Sequence, residues 1–173
     1  MKDTKRLNAR QIALCGLLTA MMLVLGYVES LIPISVGIPG IKLGLSNSLL
    51  IFAIYMLGAK VSLGLMVLKV VLSGLLFGGV SAMAFSLTGG VVSVMAMILL
   101  KRAEGLSPIV VSMVGGAAHN VAQVALAMVI LETTKLVYYM AVLMLVGLGM
   151  GAVTGIAAAA VLRHIARIGG HTT

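Results

Sequence analysis

The chain has 173 residues, 61% of them hydrophobic and 9% charged, with 12 Lys and Arg against 4 Asp and Glu for a net charge of +8. A water-soluble domain carries about 25% charged residues, so there is too little polar surface here to coat a soluble globule. The basic balance does not indicate nucleic acid either, because the cations gather at the ends of apolar runs and not along one polar face.

A bilayer core about 30 Å thick takes roughly 20 helical residues to cross. Six segments approach that length, at about 11–29, 41–58, 61–79, 82–100, 108–131 and 136–162. They predict an all-α integral membrane protein of six transmembrane helices, forming one domain over residues 1–173.

Lys2, Lys5, Arg6 and Arg10 precede the first segment in the manner of a signal peptide. The apolar run over 12–28 is long for one, and it continues past the lipoprotein-like Ala13-Leu14-Cys15-Gly16, so a retained helix is expected. Cys15 is the only cysteine, which excludes an intrachain disulfide. Ala9, Ala13, Gly16 and Ala20 put small residues along this helix, a pattern that lets helix backbones approach closely in lipid. The stripe serves internal packing or docks a second membrane subunit.

The second segment opens inside Gly37-Ile38-Pro39-Gly40-Ile41-Lys42-Leu43-Gly44-Leu45-Ser46-Asn47, which interrupts the apolar chain with three glycines, a proline and three polar side chains. Irregular backbone at membrane depth is tolerated only where protein or a water-filled cavity satisfies it. The stretch is therefore expected at the rim of a site. Gly58-Ala59-Lys60 predicts a tight turn, Gly78-Gly79 the end of the third helix, and Pro108 the first turn of the fifth. In the last segment Gly147, Gly151 and Gly155 repeat the small-residue spacing.

With the N-terminus inside, nine cations fall on the inner side: Lys2, Lys5, Arg6, Arg10, Lys60, Lys101, Arg102, Arg163 and Arg167. Lys42 and Lys135 fall outside, and Lys69 lies within a helix. The asymmetry predicts a multi-pass protein of a bacterial cytoplasmic membrane with both termini cytoplasmic.

Ionisable groups at bilayer depth are expensive and point to function by default. Lys69 lies nine residues past Lys60, roughly 14 Å along a helix and near mid-membrane. His119 is eleven residues past Pro108, at similar depth, with Asn120 beside it and Gln123 on the same helix face. With Glu29 at the outer end of the first helix, and Lys42, Ser46 and Asn47 in the irregular stretch, these residues could line an outward pocket for a small anionic or amphipathic molecule. Three plainer readings stand beside this one. Lys69 could pair with Glu29 or snorkel, His119, Asn120 and Gln123 could join helices to one another, and Lys42 could be a solvated loop charge.

No catalytic constellation is visible. Asp3 is the sole aspartate, so neither a Ser-His-Asp set nor an Asp-rich magnesium-diphosphate motif exists, and there is no phosphate loop. No metal site is expected.

At Lys42-Leu43-Gly44-Leu45-Ser46-Asn47 and Gly116-Ala117-Ala118-His119-Asn120-Val121-Ala122-Gln123 the chain resembles a bacterial membrane family called "heptaprenyl diphosphate synthase component I" or "Gx transporter", over about residues 8–165. That family is in turn similar to the substrate-binding S components of energy-coupling-factor (ECF) transporters. The resemblance implies an S-component-like bundle with a pocket near the outer face. It also implies docking of a membrane coupling subunit, with its ATPase module, on Ala9, Ala13, Gly16 and Ala20. The leading expectation is thus a ligand-binding transport subunit. The resemblance offers two alternatives. One is a membrane electron-transfer subunit serving an extracytoplasmic flavoprotein; with no haem or iron–sulfur pattern in the chain, flavin or quinone would have to be the carrier. The other is a non-catalytic membrane partner of a prenyl diphosphate synthase.

Overall fold

The computed structural model describes residues 8–31, 46, 49–103 and 105–169, and every regular element among them is helical. The helices are α1 (Ala9–Leu31), α2 (Leu50–Met56), α3 (Ala59–Ser73), α4 (Gly79–Lys101), α5 (Pro108–Ile130) and α6 (Val137–Gly169), with a π-helical segment at Gly74–Gly78. Most of the irregular stretch over 37–47 lies outside the described residues.

Local chemistry sets the boundaries. Pro108 opens α5, where its missing N–H is no loss. Ser107, in an extended conformation, caps the helix by accepting from the Val110 N–H at 3.4 Å. Gly58, at φ +86°, precedes α3, and Gly79, at φ +74°, reverses the chain between the π segment and α4. Both angles favour glycine over any residue with a Cβ.

Four helical stretches among the described residues are long and apolar enough to cross a membrane: Ala9–Leu31, Ala59–Lys101, Pro108–Ile130 and Val137–Ile165. The expectation of six crossings is therefore met only in part. The described part of the second segment is the seven-residue α2, too short to cross. The third and fourth segments form one 43-residue apolar run. That run folds back on itself: a Cβ on Gly90 would lie 2.8 Å from the Met66 sulfur, and one on Gly74 would collide with the Met83 side chain. Contacts whose residue numbers rise in one helix as they fall in the other mark an antiparallel hairpin about Gly78 and Gly79.

The same test orders the remaining helices. Gly116 meets Gly147, Gly151 meets Ser112, and Gly155 meets Ile109, so α5 and α6 are antiparallel at backbone contact. Gly115 faces Met97 and Gly89 faces His119, which sets α4 antiparallel to α5. Tyr27 of α1 packs edge-on against Phe77 at 5.7 Å, so α1 runs with α3. This topology brings Arg10, Lys60, Lys101, Arg102, Arg163 and Arg167, all exposed, to one end of the bundle.

The main core joins Met22, Leu50, Ile51, Ile54, Met66 and Val94. Short as it is, α2 is central, because four of its seven residues are buried. Lys101 ties it to α4: the ammonium donates to the Ile54 carbonyl at 2.6 Å and sits 4.6 Å from the Tyr55 ring centre. A second cluster of Phe85, Val124, Ala127 and Leu143 packs α4, α5 and α6. Large apolar side chains such as Leu75, Leu76, Val80 and Val129 stand 67–83% exposed, an arrangement suited to lipid and costly in water.

Candidate functional site

Three buried hydroxyls in this bundle are satisfied close to home, while that of Ser112 on α5 meets the Thr154 hydroxyl on α6 at 3.2 Å. Thr19 donates to the Cys15 carbonyl at 2.8 Å, Ser62 to Gly58 at 2.8 Å and Ser73 to Val70 at 3.1 Å, each within a helical turn. The larger polar side chains cannot do this and must reach across helices.

Six of the eight expected ligand-binding residues are described, and all six are buried: Glu29, Ser46, Lys69, His119, Asn120 and Gln123 are no more than 5% exposed. Lys42 and Asn47 lie outside the described residues. His119, on α5, hydrogen-bonds the backbone of Gly89 on α4 and lies within electrostatic reach of Lys69 on α3. Gly89 makes the approach feasible, since a Cβ there would stand 2.7 Å from His119 Nδ1 and 2.9 Å from Gln123 Cγ. His119 and Gln123, four residues apart, thus share the face turned toward α4.

Asn120 points elsewhere. Its Nδ2 donates to the Leu143 carbonyl on α6 at 2.7 Å, while its Oδ1 accepts no hydrogen bond among the described residues. At the end of the bundle away from the basic face, Ser46 packs on Gly26, with 3.6 Å between its Cβ and a Cβ built on the glycine. Glu29 follows three residues along α1. The structure therefore brings Lys69, His119 and Gln123 together across α3 and α5, against α4. It separates Asn120 into an α5–α6 contact and places Ser46 beside the end of α1 that carries Glu29.

The expected docking residues Ala9, Ala13, Gly16 and Ala20 are exposed, and a Cβ on Gly16 would meet nothing within 4 Å. The stripe faces outward and takes no part in internal packing among the described residues. In contrast, Gly147, Gly151 and Gly155 are buried against α5.

Two features escaped the sequence reading. Gly89 is one; its only signal was a glycine pair, Gly89-Gly90, in the middle of an apolar helix. The other is a groove of about 660 Å³ along α5, floored by Ala117, Ala118, Val121 and Ala125 and flanked by Val92 of α4 and Met144 of α6. Its lining is almost wholly apolar. Thr88 also borders it, with its hydroxyl engaged by the Ala84 carbonyl at 3.0 Å.

A family model described as heptaprenyl diphosphate synthase component I matches residues 18–161. No curated protein and no solved structure matches the chain, so the further likeness to ECF S components has no structural match behind it. The matched description is of a component of a synthase, in agreement with the expectation that this chain is not itself an enzyme.

Proposed function

The chain belongs to the heptaprenyl diphosphate synthase component I family, and from that premise we propose that it is the membrane-embedded, non-catalytic subunit of a prenyl diphosphate synthase. The supporting observation is the family match over residues 18–161, carried by helices long and apolar enough to span a bilayer. Prenyl transfer ionises an allylic diphosphate, whose leaving group is neutralised by metal ions held on carboxylates. This chain has 4 acidic residues in all and one aspartate, Asp3. The reaction would therefore belong to a partner, with this subunit supplying a membrane seat.

In this reading the protein crosses a bacterial cytoplasmic membrane six times. The α3–α4 hairpin accounts for two crossings, and another belongs to the segment expected from sequence over 41–58, of which α2 is the described helix. The basic end faces the cytoplasm, where a partner synthase would find its diphosphate substrates. The test is affinity purification of the tagged full-length chain from its native membrane. A stoichiometric catalytic synthase subunit, making polyprenyl diphosphate in the eluate, is the expected result. An eluate without prenyltransferase activity overturns the proposal.

The Lys69–His119–Gln123 cluster favours a second reading, a small-molecule-binding subunit with a coupling subunit docked on the α1 stripe. Buried polar groups in a membrane bundle are a poor device for stability alone, since interhelical hydrogen bonds average about 0.6 kcal/mol. Mass spectrometry of the purified protein should then show a co-purifying anionic molecule, lost in Lys69→Ala and His119→Ala. Retention of that molecule in both variants would remove this site.

A further inference from the structure

The last helix is longer than the bundle it belongs to. α6 has 33 residues, about 50 Å, against 23 residues and about 35 Å for α5. α5 is thus close to the thickness of a bilayer core, about 30 Å, and its first turn marks the core boundary at the basic end. Gly155 of α6 stands opposite that turn, since a Cβ on it would lie 2.7 Å from the Ile109 Cα. Ala158 still joins the main core, and Ala159 is buried. Beyond them no described side chain of the helix is buried. Ile165 lies ten residues past Gly155, roughly 15 Å, and Arg167 twelve, roughly 18 Å. The headgroup layer adds only about 5–8 Å per face, so this overhang reaches through it into water. It has two faces. Val161 and Ile165, one turn apart, are 45% and 39% exposed on one side. Arg163 and Arg167 repeat the same step two residues later, which puts them on the opposite side. Neither arginine has an acidic neighbour among the described residues, whose two carboxylates, Glu29 and Glu132, lie at the other end of the bundle.

We infer that residues 160–167 of α6 are a docking helix for a soluble protein that offers a cleft with one apolar wall and, facing it, one acidic wall. Under the reading of this chain as a synthase subunit, on which the inference rests, that protein is the catalytic subunit. Depth argues against lipid as the occupant, because Ile165 and Arg167 stand beyond the headgroups. The two faces match the two walls. Val161 and Ile165 supply the apolar anchors of a helix laid in a groove, and Arg163 and Arg167 supply forked donors for carboxylates. Such charges also steer an acidic partner toward the membrane face where it docks.

The test uses the full-length chain in phosphatidylcholine nanodiscs, with Cys15→Ser and His164→Cys, the new thiol carrying acrylodan on the overhang. Its emission should be that of a probe in water, and should stay so when phosphatidylglycerol is mixed in. Addition of the catalytic prenyl diphosphate synthase subunit should shift it to the blue. Ile165→Glu should weaken that subunit's binding at least tenfold. Arg163→Gln combined with Arg167→Gln should weaken it at least fivefold and flatten its dependence on salt. Lys135→Gln, at the opposite end of the bundle, should leave it unchanged. Should a variant misfold, the emission of the labelled chain decides. A probe already blue-shifted in nanodiscs with phosphatidylglycerol makes the overhang a lipid-surface helix and overturns the inference. A subunit that binds with the emission unmoved, or with equal affinity for every variant, also overturns it and leaves the subunit reading standing. A subunit that does not bind the wild-type nanodisc removes the subunit reading, and the docking helix falls with it.

Discussion

Gly89 holds the most constrained position among the buried polar contacts. A methyl group there would press on His119 and Gln123, and the His119 ring cannot retreat without straining its hydrogen bond to the Gly89 backbone. Overpacking of this kind costs about 1–3 kcal/mol. Gly89→Ala should therefore lower the melting temperature in detergent, whereas Gly64→Ala, where a Cβ meets nothing within 4 Å, should not. Asn120 makes a smaller contribution. Asn120→Leu removes its hydrogen bond to Leu143 and also its buried Oδ1, which accepts no hydrogen bond among the described residues. The two effects oppose each other, and the loss should stay near or below about 1 kcal/mol, measured by reversible unfolding in mixed micelles. At Lys101, replacement by Met forfeits both the carbonyl of Ile54 and the face of Tyr55. A loss of about 1–2 kcal/mol is expected, seen as earlier proteolysis near α2.

Two stripes of small residues with similar spacing behave differently at the scale of the helix. On α6, Gly147 and Gly151 meet the backbone of α5, and backbone cannot swing aside as a side chain can. Gly151→Leu should therefore separate α5 from α6 and abolish a cooperative melt. On α1, Gly16 has open space around it, so Gly16→Leu should change stability by no more than about 0.5 kcal/mol. If α1 docks a partner, that same variant should lose the partner while keeping its melting temperature. Spacing alone cannot separate these cases, because four-residue periodicity puts small residues on one face without saying what faces them. The fifth helix was the most legible element: Ser107, Pro108 and a long apolar run with His119 and Gln123 on one face all read directly from sequence. Least legible were the π-helical segment at Gly74–Gly78 and the central position of α2. Both depend on how neighbours pack and not on any local propensity. The groove left no signal at all, since alanine and valine on its floor read like any lipid-facing residues.

Charge placement is the feature of the whole molecule that sequence and structure share. Cations scattered along the chain from Arg10 to Arg167 converge on one end because α3, α4, α5 and α6 alternate in direction and α1 runs with α3. Where the chain turns at Gly79 or spaces its helices by short loops, the alternation is forced. With Cys15→Ser as background, single cysteines at Arg163 and Lys135 should label from opposite sides of sealed vesicles, the first only from the cytoplasmic side. Labelling of both from one side would break the topology. The central claim, that this membrane protein is a non-catalytic synthase subunit, is tested most directly by reconstitution. The purified chain in nanodiscs should form no polyprenyl diphosphate from allylic and homoallylic diphosphates. Adding the catalytic subunit should bring that subunit onto the nanodiscs and raise long-chain product at least several-fold over the catalytic subunit alone. A catalytic subunit that stays in solution, with the same product in the presence and absence of this chain, would contradict the account.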